Sequence, residues 1–333
     1  MPTQICKRYF KNRKVLFITT KNLDYIRNVQ EITAIREASE KCVVIGSYSK
    51  FYLVRLLTVF FCVFFTKSNQ FDSVFIGFAP QLVIPFFSRK WRKNSVVIDF
   101  FISLYDTLCF DRKKLKPGSV GGRLLHRLDK MTLEYADVVV CDTNAHRQYF
   151  AEEFHISEKK FYIWYLHADT SIYYSMKIMK PKEIKDKYVV LYFGSVLSLQ
   201  GVDVVLRAME LLKEEKRLHF FFIGPIKDKA LIKIKPVSDN ITYVEWLPQE
   251  KLAEYIAMSD LCLAGHFNDS VQKAARTIPG KAYIYQAMGK KMILGENPAN
   301  REVFEEGEKI LFVRMGDEKT LAEKILEALK AEK

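Results

Sequence analysis

The chain has 333 residues, with 52 Lys and Arg against 39 Asp and Glu and a formal charge of +13. Apolar residues make up 49% and charged residues 27%, ordinary globular usage that excludes disordered, collagen-like and disulfide-scaffold chains. At roughly 150 residues per domain, the length suggests two domains.

The basic residues 1–14 lead into the short apolar run Val15-Leu16-Phe17-Ile18. That run is too brief for a signal-peptide core, so the expectation is a cytoplasmic protein. Strand-like runs follow at Val15–Thr19, Cys42–Ile45, Ser73–Ile76, Ser95–Ile98, Val138–Cys141 and Phe161–Tyr165. Helical patterns lie between them at Ile26–Ser39, Arg123–Tyr135 and Ala145–Phe154. Leu53–Thr66 is the most apolar stretch, well short of the ~20 residues that span a bilayer and interrupted by Arg55. As a helix, Leu53–Phe65 is apolar nearly all round, so it is either buried core or partly inserted at an interface.

After Ala168 the pattern loosens into a lysine-rich linker, and at Tyr188 it restarts. Strands are expected at Tyr188–Phe193, Leu218–Ile223, Ile241–Val244, Leu261–Ala264 and Met292–Leu294. Helices are expected at Val202–Leu212, Glu250–Met258, Gly280–Met288 and Lys319–Ala331. Strands alternating with helices predict an α/β protein with two Rossmann-like domains, at 1–172 and 188–333, joined by 173–187 and facing a central cleft.

The charge is uneven. Residues 1–170 hold 26 Lys and Arg against 16 Asp and Glu. Clusters such as Arg89-Lys90-Trp91-Arg92-Lys93 suit a generic solvated face, or an anionic membrane surface met peripherally from the cytoplasmic side. No nucleic-acid-binding motif accompanies them, so nucleic acid is not expected as a partner. The six cysteines and six histidines form no metal-binding spacing, so no metal is expected.

In the second half, Gly194-Ser195 follows a strand and Gln200-Gly201 opens a helix, a pattern that admits an anion or serves only as a turn. Lys273, Arg276 and the Pro279-Gly280-Lys281 turn precede another helix. Cations there oppose the helix dipole, so a bound anion would explain them, the alternative being a solvated basic loop. Glu296 at a strand end is placed to accept bonds from sugar hydroxyls, while Asn297 equally suits a helix cap. In the first half Asp99, Ser103, Tyr105 and Asp106 follow a strand, where carboxylates orient or deprotonate an acceptor hydroxyl or merely cap a turn. His146 and His266 stand alone in the sequence.

These residues resemble a known family. Tyr192-Phe193-Gly194-Ser195 with Leu199-Gln200-Gly201-Val202-Asp203, then Ile278-Pro279-Gly280-Lys281, Ala287-Met288-Gly289-Lys290 and Gly295–Glu302, are similar in order and kind to the donor domain of retaining GT-B glycosyltransferases of family 4. Asp99–Thr107 and Asp142-Thr143 with His146 resemble a bacterial polysaccharide-building branch of that family. The resemblance implies transfer of a sugar, with retention and without metal, from a UDP- or GDP-linked donor to a glycan or lipid-linked glycan. No cofactor is implied beyond the nucleotide sugar, which is a substrate. It implies donor contacts at Gly194, Ser195, Gln200, Gly224, Trp246, Leu247, Lys273, Arg276, Lys281, Glu296 and Asn297. Lys273 and Arg276 would neutralise the leaving diphosphate, Asp99 and Asp106 would serve the reaction, and Ser103 and Tyr105 would meet the acceptor. Where relatives carry a ribose-binding Glu, this chain has Ile284, and Ser195 and Gln200 replace basic residues of the first loop. The alternative is a glycosyltransferase-like binding or scaffold subunit with a decayed site.

Overall fold

A computed structural model of the chain describes residues 2–331. They divide between Leu166 and His167 into two compact units.

The first unit runs α1 (Pro2–Tyr9), β1 (Lys14–Asn22), α2 (Ile26–Ala38), β2 (Lys41–Ser47), α3 (Tyr52–Phe65), β3 (Ser73–Ile76), α4 (Ile84–Phe87), β4 (Ser95–Asp99), α5 (Val120–Tyr135), β5 (Val138–Cys141), α6 (Asn144–Phe154) and β6 (Phe161–Ile163). Its six strands are all parallel, in the order β2-β1-β3-β4-β5-β6. Period-two alternation along the strands builds a core on each face of the sheet. Leu16, Ile18, Val74, Ile76, Ile98 and Val139 pack with Val59, Val63, Leu133, Phe150 and Phe154 from the helices. On the other face Val15, Phe17, Phe75, Val97 and Val140 meet Ile5 and Cys6 of α1 and Ile32 and Ile35 of α2. Helix starts are set by side-chain caps: Ser119 Oγ accepts from Gly122 N and Thr143 Oγ1 from His146 N.

The second unit contains β7 (Tyr188–Phe193), α7 (Val202–Leu211), β8 (Leu218–Ile223), α8 (Lys229–Lys233), β9 (Ile241–Val244), α9 (Gln249–Met258), β10 (Leu261–Gly265), α10 (Gly280–Ala287), β11 (Lys291–Gly295), α11 (Pro298–Arg301), β12 (Ile310–Val313) and α12 (Glu318–Lys330). The sheet order is β12-β11-β10-β7-β8-β9, again all parallel. Tyr188, Val190 and Tyr192 of β7 pack with α7 and with Leu321, Ile325 and Ala328 of α12. Residues 173–187 pack with this unit, with Tyr173 and Ile184 buried and Lys180 ion-paired to Asp260.

Several short elements lie outside the sequence expectation, α1 and β12 among them. Helix α1 forms in the basic N-terminal stretch because Ile5, Cys6 and Phe10 present one buried face beneath the charges. Edge strand β12 pairs with β11 although only four residues long. Burial of the apolar segment proves one-sided: on α3 Arg55, Val59 and Val63 are buried. Among the described residues no helix is long and apolar enough to cross a membrane.

Candidate functional site

The second sheet grows from β7 outward to β8 and β9, then returns to the other side of β7 with β10. Ligands of open α/β sheets bind beyond the carboxyl ends of the strands at such a reversal. Gly194 follows β7 there, and Gly265-His266 ends β10. Gly194 has φ +149°, a backbone that side chains rarely adopt, and a Cβ on it would stand 3.0 Å from Lys281 Nζ. The missing side chain thus leaves room beside the amine.

Lys281 lies in the first turn of α10 and is only 6% exposed. Its Nζ sits 3.9 Å from the centroid of the Tyr192 ring and has no hydrogen-bond partner. Burial pushes the amine well below its usual pKa, because a cation removed from water without a partner is costly. An anion in this position would supply the missing partner, and the start of a helix favours the same charge.

His266 is buried beside it, and Thr277 Oγ1 lies 3.3 Å from His266 Nδ1. Burial, then the neighbouring Lys281 and Lys273, lower its pKa to about 3. The folded ring therefore stays neutral at pH values where the unfolded one takes a proton. Stability is complete above the ordinary value of 6.5 and falls as pH drops from there toward 3. At pH 5 the expected loss from this group is about 2 kcal/mol. Urea titrations at pH 7 and pH 5 should show it, and His266→Asn should remove that slope; an unchanged slope would contradict a neutral buried ring.

The other expected donor residues divide. Lys273 and Arg276 are half-buried on and just after the short turn Gln272–Ala275 that leads to α10, and Lys273 acts electrostatically on His266. Gln200 turns a buried Oε1 without a hydrogen-bond partner toward Gly265. Ser195 is exposed. Several expectations need correction. The Gly194 N–H donates to Ile223 O at 2.9 Å, so it is spent within the sheet and is no anion donor. Gly224 is required by packing, since a Cβ there would come 2.2 Å from Gly194 O. Asn297 is the N-cap of α11, its Oδ1 accepting from Asn300 N at 2.8 Å, and is not a free ligand. Glu296 is held by Arg301 Nε at 2.7 Å. Trp246 is 75% exposed after the edge strand β9, with Leu247 half-buried behind it, so no enclosed pocket forms around the indole.

In the first unit the expected acceptor residues are structural. Asp99 is buried and takes two bonds from Arg27, Nε to Oδ2 and Nη2 to Oδ1, each 2.6 Å. Arg27 also donates to Trp164 O at 3.1 Å and lies over the Phe101 ring. Burial, then Asp99, raises the pKa of the neighbouring Glu31 well above the carboxylate range. A carboxylate so engaged is not placed to deprotonate an acceptor. Ser103 Oγ donates to Asp129 Oδ2 at 2.7 Å, and the same carboxylate accepts from Tyr105 N at 2.9 Å. Asp106 is buried with its N–H on Ser103 Oγ, and the Tyr105 ring lies in the core. These residues therefore knit the loop after β4 to α5. His146 is not alone either, since its Nδ1 lies 2.6 Å from Asp142 Oδ1.

Sequence reasoning missed Arg27, Glu31 and Asp129. The pairing of Arg27 with Asp99 spans 72 residues and that of Asp129 with Ser103 spans 26, which no local motif announces. It also missed Tyr25, Phe78 and Phe101, which cluster at the carboxyl ends of β1, β3 and β4 with Lys21 over the first two rings.

Comparison with known proteins agrees with this architecture. Residues 187–331 match the family model described as glycosyl transferases group 1. No curated protein matches the chain as a relative. Among solved structures, a sucrose-phosphate synthase from Thermosynechococcus elongatus superposes with a TM-score of 0.68 at 13% identity, over 96% of this chain and 90% of that one. A glycosyltransferase from Rickettsia africae gives 0.62 at 14% identity, over 96% and 89%. The Anabaena protein HepE in complex with UDP-glucose gives 0.61 at 11% identity, over 96% and 91%. Residues 187–331 thus match the glycosyl transferases group 1 model, in a chain with the GT-B fold of two parallel α/β sheets.

Proposed function

We propose that the protein is a glycosyltransferase that moves a sugar, with retention of anomeric configuration, from a UDP- or GDP-linked donor to a glycan or lipid-linked glycan acceptor. The observation that carries this reading is the buried, unpartnered Lys281 amine beside Gly194 at the carboxyl end of β7. A diphosphate there pairs with the amine, and the same contact neutralises the leaving group as the glycosidic bond breaks. Lys273 and Arg276, carried on the turn before α10, add positive charge on the diphosphate side. The UDP-glucose held by the Anabaena structure is consistent with such a donor. The excess of basic residues in 1–170 suits an anionic membrane surface, where a lipid-linked acceptor would be presented.

Nucleotide release from a panel of UDP- and GDP-sugars, with and without lipid-linked acceptor, tests the reading. Release from at least one donor is expected, and no release or nucleotide binding from any of them would favour a decayed scaffold. Because Lys and Arg are assigned the neutralising role, turnover should survive EDTA. Loss on chelation, restored by magnesium or manganese, would transfer that role to a metal ion.

A further inference from the structure

On the reading that the acceptor is met at an anionic membrane surface, we propose that α3 is the element that enters it, lying in the bilayer interface with its outer face among the acyl chains. Only one side of this helix is engaged by the fold. Arg55, Val59 and Val63 face the sheet, and the Arg55 side chain is held by Ser49 O at 2.6 Å. The opposite side exposes Leu53, Leu57, Phe61 and Phe64 at helical spacing, with Phe61 at 67%, Phe64 at 66% and Phe65 at 65% exposure. Helix α4 extends the surface: Phe86 is 69% exposed, and its ring lies 5.1 Å from Phe60 of α3. Six large exposed apolar side chains in one patch exceed the scattered exposure normal for a soluble surface.

What lies next to the patch decides the occupant. Lys90 Nζ donates to Phe64 O at 2.6 Å, which fixes the basic turn Ser88–Trp91 against the end of α3. Arg89, Arg92 and Lys93 are exposed there, and Lys50 and Lys67 are exposed just beyond the two ends of the helix. α3 itself contains no acidic residue. An apolar face bordered by cations matches an interface of acyl chains beneath anionic headgroups. A second copy of this chain would instead bring another strongly basic domain to the patch. With 14 residues, α3 lies on a bilayer and does not cross it.

The test is co-sedimentation with vesicles of phosphatidylcholine alone or mixed with phosphatidylglycerol, at low and high salt. The wild type should bind the anionic vesicles, and F61S/F64S should bind at least tenfold more weakly. R89A/R92A/K93A should lose the salt-sensitive part of binding and keep a residual, salt-resistant part. In F64W, lipids brominated on the acyl chain should quench the added fluorescence relative to wild type. Unquenched F64W on vesicle-bound protein, full binding by F61S/F64S, or absence of binding to anionic vesicles at low salt would each overturn the proposal. So would a concentration-dependent dimer, seen without lipid by ultracentrifugation and abolished in F61S/F64S. Calorimetric UDP and GDP binding on the same preparations separates the two readings. Vesicle binding lost with nucleotide binding intact counts against α3 alone, whereas absent nucleotide binding counts against the glycosyltransferase assignment.

Discussion

Replacing Lys281 with Met is expected to weaken UDP or GDP binding at least tenfold while raising the melting temperature. Met preserves length and apolar stem, so packing against Tyr192 is kept. The variant removes an amine that burial holds well below its ordinary value of 10.5. The sign is set by linkage: the unfolded chain binds this proton more readily than the folded one. Lys281 therefore lowers stability at neutral pH, and that deficit fades as pH rises toward 10.5. The lost charge-assisted bond to a diphosphate corresponds to about 1.5–3 kcal/mol. Calorimetry and thermal unfolding on the same samples check both halves. Lower stability with unchanged affinity would make Lys281 a structural residue.

Asp99→Asn is expected to destabilise the first unit by about 3–5 kcal/mol, because it removes the bidentate partner of the buried Arg27 charge and leaves only Glu31, 3.3 Å from Arg27 Nε, to balance it. The geometry behind this is the paired 2.6 Å contact between two side chains that water scarcely reaches. Arg27→Met should cost a similar amount, and R27M/D99L should recover much of the loss, since neither charge then remains buried. Urea denaturation measures all three. A fully stable Asp99→Asn protein that has lost only sugar transfer would restore Asp99 to the catalytic role its sequence position suggested.

Much of the architecture was legible because strand and helix periods are local properties. Ser73–Ile76, Val138–Cys141, Tyr188–Phe193, Leu218–Ile223 and Ile241–Val244 end where the apolar runs end. Helix α1 was hidden because Lys7, Arg8 and Lys11 dominate the composition of a segment whose buried face is only Ile5, Cys6 and Phe10. The apolar run in α3 was visible, but which of its sides meets the sheet depends on partners in β1 and β2.

The site was legible on one side only. Pro279-Gly280-Lys281 suggested a helix start suited to an anion, and the structure adds what composition lacks: the amine is buried and unpartnered beside Gly194. Asp99 and Ser103 looked like reactive groups because their partners Arg27 and Asp129 lie on other helices. Asn297 and Gly224 carry family-like positions, yet each is accounted for by a cap or a close backbone approach. A polar residue at a strand end is ambiguous until its long-range partner is known.

Binding of a nucleoside diphosphate is expected to draw a proton onto the Lys281 amine, which burial holds below its ordinary pKa. By pH 8 the diphosphate has lost its protons while the nucleobase still keeps its own, and a lysine with the ordinary value of 10.5 would already be charged. UDP and GDP titrated calorimetrically at pH 8, in buffers of different ionisation enthalpy, report protons exchanged on binding. For the nucleotide that binds, the expected result is uptake of a proton by the wild type and none by Lys281→Met. Binding without proton uptake, or equal uptake in both proteins, would contradict it.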